Sequence, residues 1–133
     1  MNAIGWDDVR VALHILAATV WVGGQITLAA LVPVVRRAAA TATRPVARRF
    51  AAVAWSAFAV LVATGIWNVA ADRHRFDAAD RITLTVKVAL VAFSAISALV
   101  HQRSRRPALL AISGALSALT AVLAVLLGVV LSH

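Results

Sequence analysis

The chain contains no cysteine and no tyrosine, and its one methionine is Met1. Without cysteine there is no disulfide, no thiolate metal site and no dithiol redox pair. Without an internal methionine there is no thioether path of the kind that soft copper(I) prefers. Charge is scarce as well: 14% of the residues are charged, only 5 are acidic, and 62% are hydrophobic. A soluble domain is about a quarter charged and about half apolar. That composition does not describe a soluble globular fold.

What is present instead is long apolar stretches. Charge-free runs cover Val11–Val35, Phe50–Ala71, Ile82–Gln102 (interrupted by Lys87 alone) and Pro107–His133. Each supplies the ~20 apolar residues that a helix needs to cross a hydrocarbon core of ~30 Å. The runs do not alternate, and barrel strands are only about ten residues long. The sequence therefore predicts an all-α fold, a four-transmembrane-helix bundle in one integral membrane domain over residues 1–133. The expected helices run over about 9–35, 50–71, 82–102 and 107–131. Ala40–Ala42 has the look of a signal-peptide cleavage site, but the leading segment is acidic, the apolar run is too long and two arginines intervene, so the first span is expected to be retained.

The net charge of +8 sits in the connections between spans. Arg36, Arg37, Arg44, Arg48 and Arg49 crowd the first connection and Arg103, Arg105 and Arg106 the third, neither with an acid. The second balances Arg73, Arg75 and Arg81 against Asp72, Asp77 and Asp80, and Asp7, Asp8 and Arg10 lie near the N-terminus. Short arginine-rich loops stay in the cytoplasm. Both termini and the second loop are thus expected on the outer side of the cell membrane, in a multi-pass protein. The basic charge is read as a topology signal with a secondary pull towards anionic headgroups, not as a nucleic-acid surface. The expected partners are the lipid bilayer and a second copy of the chain or a membrane subunit.

Aromatic belts place Trp6 and Trp67 near the outer interface and Phe50 and Trp55 towards the inner one. Thr43–Pro45 is expected to break the first connection, Pro107 to open the fourth helix, and Pro33 to sit near the inner end of the first. Gly114, Ala118, Ala121 and Gly128 recur at helical spacing on helix four, and Gly23 and Gly24 on helix one suggest close helix approach.

At ~100° per residue, polar residues fall on common faces. His14, Trp21 and Gln25 share one face of helix one. Thr83, Lys87, Ser94 and His101 share a stripe on helix three, while helix two carries Thr64, Trp67 and Asn68 and helix four Ser113, Ser117 and Thr120. Unpartnered polar groups are costly in hydrocarbon, so these are expected to face one another. His14 and Lys87 each lie a few residues inside an outer boundary, with Asn68 at a similar depth. His101 is more than ~20 Å deeper than His14, so the two cannot clasp one metal or one haem.

Each residue admits two readings. Lys87 is functional by default inside a span, or it snorkels to the headgroups. His14 is a metal or haem ligand, or it makes a helix-to-helix hydrogen bond to Asn68 or Gln25. Trp21 packs, or touches a cofactor; His101 is interfacial; His74 and His133 are exposed and open to adventitious metal.

The pattern LHxxAxxxWxGG at Leu13–Gly24 resembles the first helix of the copper-resistance D (CopD-like) family of membrane proteins. Ala47–Asn68 is similar to that family's basic start and T/SGxxN ending, and Ile82–Arg103 to its next helix with an embedded lysine. The four-span HemJ-type protoporphyrinogen oxidases are similar in layout, with a histidine seven residues before a tryptophan and a lysine early in helix three. The segment Gln25–Val34 departs from their aromatic-rich continuation, which ranks the copper family first. The first resemblance implies copper transport or resistance. The second implies haem b on His14, with Lys87 as its companion in a haem-dependent oxidoreductase. His14, Lys87, Asn68 and Trp21 are the expected cofactor-binding set, with His14 the metal ligand and no catalytic residue assigned. A third reading, of another class, is a non-catalytic accessory subunit whose polar seam only sets helix register.

Overall fold

The computed structural model describes residues 5–131. Four α-helices account for nearly all of them: α1 (Trp6–Ala38), α2 (Thr43–Asp72), α3 (Ala78–Arg103) and α4 (Pro107–Val130). Each is long and apolar enough to cross a membrane, and there is no strand among the described residues. This is the architecture of a multi-pass membrane protein. His133 lies outside the described residues.

The helices reach past the charge-free runs because charged residues cap and extend them. Asp8 accepts a hydrogen bond from the Gly5 N–H at 2.9 Å. Asp77 and Asp80 cap α3 reciprocally, with Asp80 N donating to Asp77 at 2.8 Å and Asp77 N donating to Asp80 at 3.2 Å. Such caps contribute about 1 kcal/mol each. Thr43–Pro45 does not break the first connection. It opens α2, because proline lacks an N–H that the first helical turn leaves unused and arginine is a good helix former. The turn itself shrinks to a 3₁₀ segment, Ala40–Ala42. Pro107 opens α4 as expected.

The chain divides into two units, one ending at His74 and the other beginning at Arg75. The first is the antiparallel hairpin of α1 and α2, and the second that of α3 and α4. Within each, burial is inverted relative to a soluble protein. Buried side chains include Thr64, Ser94, Ser97, Ser113, Ser117 and Thr120 besides Ala17, Ala54, Ala121 and Ala124. Leu16, Ile66, Ile82 and Ile112 are more than half exposed. Where the solvent is lipid, large apolar residues gain nothing by leaving it, and small or hydrogen-bonding residues line the helix pairs. This distribution is physical support for the spans that does not depend on hydropathy.

Candidate polar site of the first hairpin

In the first hairpin, Arg10, His14, Ala17, Trp21 and Gly24 follow one another at steps of four and three, the seam of an antiparallel pair. At the far end from the turn, Arg10 is buried. Its Nη2 donates to Asp72 at 2.7 Å, its Nη1 to the carbonyl and the side-chain oxygen of Asn68 at 3.2 Å, and its Nε to Asp7 at 3.0 Å. Asn68 is therefore an acceptor for Arg10, not a partner of His14. The sequence reading missed Arg10, because a charge flanked by acids near a terminus looks like a solvated group. Its spacing of four before His14 was the available signal.

One turn further in, His14 Nδ1 lies 2.9 Å from Thr64 Oγ1. The Thr64 hydroxyl also lies 2.7 Å from the Val60 carbonyl oxygen, to which it donates. A hydroxyl has one hydrogen, so towards His14 it accepts, and Nδ1 is the donor. With Nδ1 donating, a neutral ring would carry its lone pair on Nε2. Gly65 provides the space: a Cβ there would stand 3.3 Å from His14 Cε1. The helix-to-helix bond anticipated for His14 exists, with Thr64 as partner in place of Asn68 or Gln25. The Thr-Gly-x-x-Asn segment, Thr64–Asn68, turns all three of its distinctive residues towards α1.

Trp21 is buried and packs on Phe58 (centroids 4.5 Å) and edge-on against Trp55 (5.3 Å). Trp55, expected in the inner belt, thus packs in the hairpin seam. Trp6 is 78% and Trp67 42% exposed. At Gly24 a Cβ would meet the Phe50 ring at 2.8 Å, so the ring rests on the glycine and would have to move aside for a larger residue. At Gly23 nothing among the described residues lies within 4 Å of the same position. Gln25 holds a buried Nε2 without a hydrogen-bond partner among the described residues.

The second hairpin holds the other predicted residues. Lys87, Ser94 and His101, seven apart, all turn towards α4. The Lys87 ammonium lies over Gly128, 2.8 Å from where a Cβ would stand, and makes no hydrogen bond or ion pair among the described residues. Ser94 Oγ donates to the Ser117 carbonyl at 2.8 Å while Ser117 Oγ donates to the Ser94 carbonyl at 2.9 Å. His101 Nδ1 donates to the Leu110 carbonyl at 2.8 Å, its ring resting on Gly114. Gly128 and Gly114 are thus receiving sites for basic side chains. Among the described residues Thr83 bonds only within its own helix, to the Ala79 carbonyl. His74 is exposed in the connector between hairpins.

No group of three or more histidine, cysteine, aspartate or glutamate side chains is placed to hold a metal ion among the described residues. Compared with models of known protein families, with curated proteins and with solved structures, the chain matches none.

Proposed function

We propose that the chain is a multi-pass protein of the cell membrane that holds a metal cofactor on His14, with both termini outside. The observation that carries this reading is the 2.9 Å contact of His14 Nδ1 with the Thr64 hydroxyl, which fixes the orientation of the ring through one of its nitrogens. Metal-bound histidines are oriented in this way, through a hydrogen bond from the other ring nitrogen.

The donor set bears on which metal. One imidazole is a sparse site for a free copper ion, above all copper(I), which favours sulfur. A single histidine would suffice to hold haem, whose macrocycle carries donors of its own. Haem b on His14 is accordingly the reading the residues fit best, and it would supply one-electron chemistry. Thr64 would fix the ring, Gly65 would admit it against α2, and Arg10 with Asn68 would tie the hairpin beside it. Copper handling, which the likeness to the CopD-like family favours, would need further ligands from a membrane subunit or a second copy.

The test is the visible spectrum and metal content of the purified full chain, with His14→Gln beside it. Glutamine keeps an N–H for Thr64 and removes the imidazole. The expected outcome is a Soret band, or bound copper, in the parent and its loss in a variant that still inserts. Equal cofactor content in both, or none in either, would leave His14 a helix-pairing residue only and the chain an accessory subunit.

A further inference from the structure

The turn of the first hairpin holds a feature that the cofactor reading does not use. Arg44, Pro45, Arg48, Arg49 and Ala52 line an open groove of about 430 Å³ on the first turns of α2. Arg44, Arg48 and Arg49 are exposed, and none has a carboxylate partner among the described residues. Residues 44, 48 and 52 are spaced at four, so two guanidinium groups and a methyl follow one another down a single face. α2 begins with no acidic residue in its first turn and no side-chain cap, so the positive end of its dipole is uncompensated here. The Thr43 hydroxyl, on the first residue of α2 and outside the lining of the groove, has no hydrogen-bond partner among the described residues.

Position along the membrane normal decides which anion fits. The charge-free run of α2 starts at Phe50, directly after Arg49. At ~1.5 Å rise per residue, the three guanidinium-bearing residues start within roughly 9 Å of the hydrocarbon edge, the level of lipid phosphates. Below them Ala52 and the half-exposed Val53 present apolar surface along which an acyl chain can lie. A soluble phosphate would use the upper half of this surface only.

We propose that the groove at the start of α2 is a binding site for an anionic phospholipid, with Arg44, Arg48 and Arg49 on the headgroup phosphate and Ala52 against the first acyl carbons. Arginine is suited to this, since its planar fork meets phosphate oxygens in pairs. Basic pockets at the membrane boundary take acidic lipids on the same grounds.

The experiment is native mass spectrometry of the full chain released from detergent, titrated with phosphatidylglycerol, phosphatidylcholine or inorganic phosphate. Two double variants remove the same charge from the same turn: Arg44→Gln with Arg48→Gln inside the groove, and Arg36→Gln with Arg37→Gln outside it. Retained phosphatidylglycerol, little phosphatidylcholine, and a loss of affinity roughly tenfold greater for the groove pair than for the outer pair are expected. Equal losses for the two pairs would mean diffuse charge attraction and overturn the site. Displacement of the lipid by millimolar inorganic phosphate would overturn the lipid as its occupant. Should the groove pair fail to insert, Arg44→Lys with Arg48→Lys keeps the topology signal, and its undiminished lipid retention would also overturn the paired-fork recognition.

Discussion

Thr64 has a single hydroxyl hydrogen, and where it goes determines what His14 can do. Replacing it with valine keeps the shape of the side chain and removes the acceptor facing Nδ1. The ring is then free to turn and to move its proton, so Thr64→Val is expected to weaken metal or haem binding by about 10–100-fold without removing the ligand, as loss of such orienting bonds generally does. Cofactor titration of the reconstituted variant measures this, and unchanged affinity would show that Thr64 does not orient the ring. His101 gives the contrasting case. It belongs to the α3–α4 pair, where Leu110 and Gly114 receive it. His101→Ala is therefore expected to keep the cofactor content of the parent, and its loss there with retention in His14→Gln would transfer the site to His101.

Within an element, the bonds that matter are those that fix register. Ser94 and Ser117 are buried and exchange hydroxyl-to-carbonyl bonds, each satisfying a backbone oxygen of the facing helix. Hydrogen bonds between membrane helices are worth on average ~0.6 and at most ~1.7 kcal/mol. Ser94→Ala and Ser117→Ala are each expected to cost within that range in a steric-trapping or denaturant measurement in detergent, and the double variant less than the sum. Strict additivity would show that the two serines act independently.

The helices were legible before the structure because hydrocarbon excludes charge, so their number and type follow from where the arginines are absent. Their ends were less so. Arg44 to Arg49 carry charge yet favour helix, and charge alone marked them as loop. The seam through Lys87, Ser94 and His101 could be read from its period of seven. Its partners could not, since the residue that receives a side chain depends on the register of the facing helix. Gly65 and Gly128 are the clearest instances: in sequence they are small residues, and only the pairing makes them the places where His14 and Lys87 come to rest. Arg10 was hidden for the opposite reason, because local acids account for its charge without Asn68 and Asp72.

At the scale of the whole molecule, the asymmetry of arginine between connections predicts orientation. Single cysteines are readily introduced, since the chain has none. A cysteine at Ala78 is expected to react with an impermeant maleimide in intact cells and one at Ala40 only after permeabilisation. The reverse pattern would invert the topology and place the turn of the first hairpin, with its arginines, outside.

The reciprocal serines and the lysine over Gly128 also bear on how the protein is made. α3 leaves the ribosome before α4, and it carries Lys87, whose cost is bounded by the about 2.5–3.5 kcal/mol of a lysine at a helix centre. α4 has the highest mean hydropathy of the four spans, 2.3 against 2.0 for α3. Only three residues separate them, Ser104 to Arg106. The later, greasier helix covers the polar stripe of the earlier one, so α3 and α4 are expected to enter lipid as a pair, α3 alone less readily than the two together.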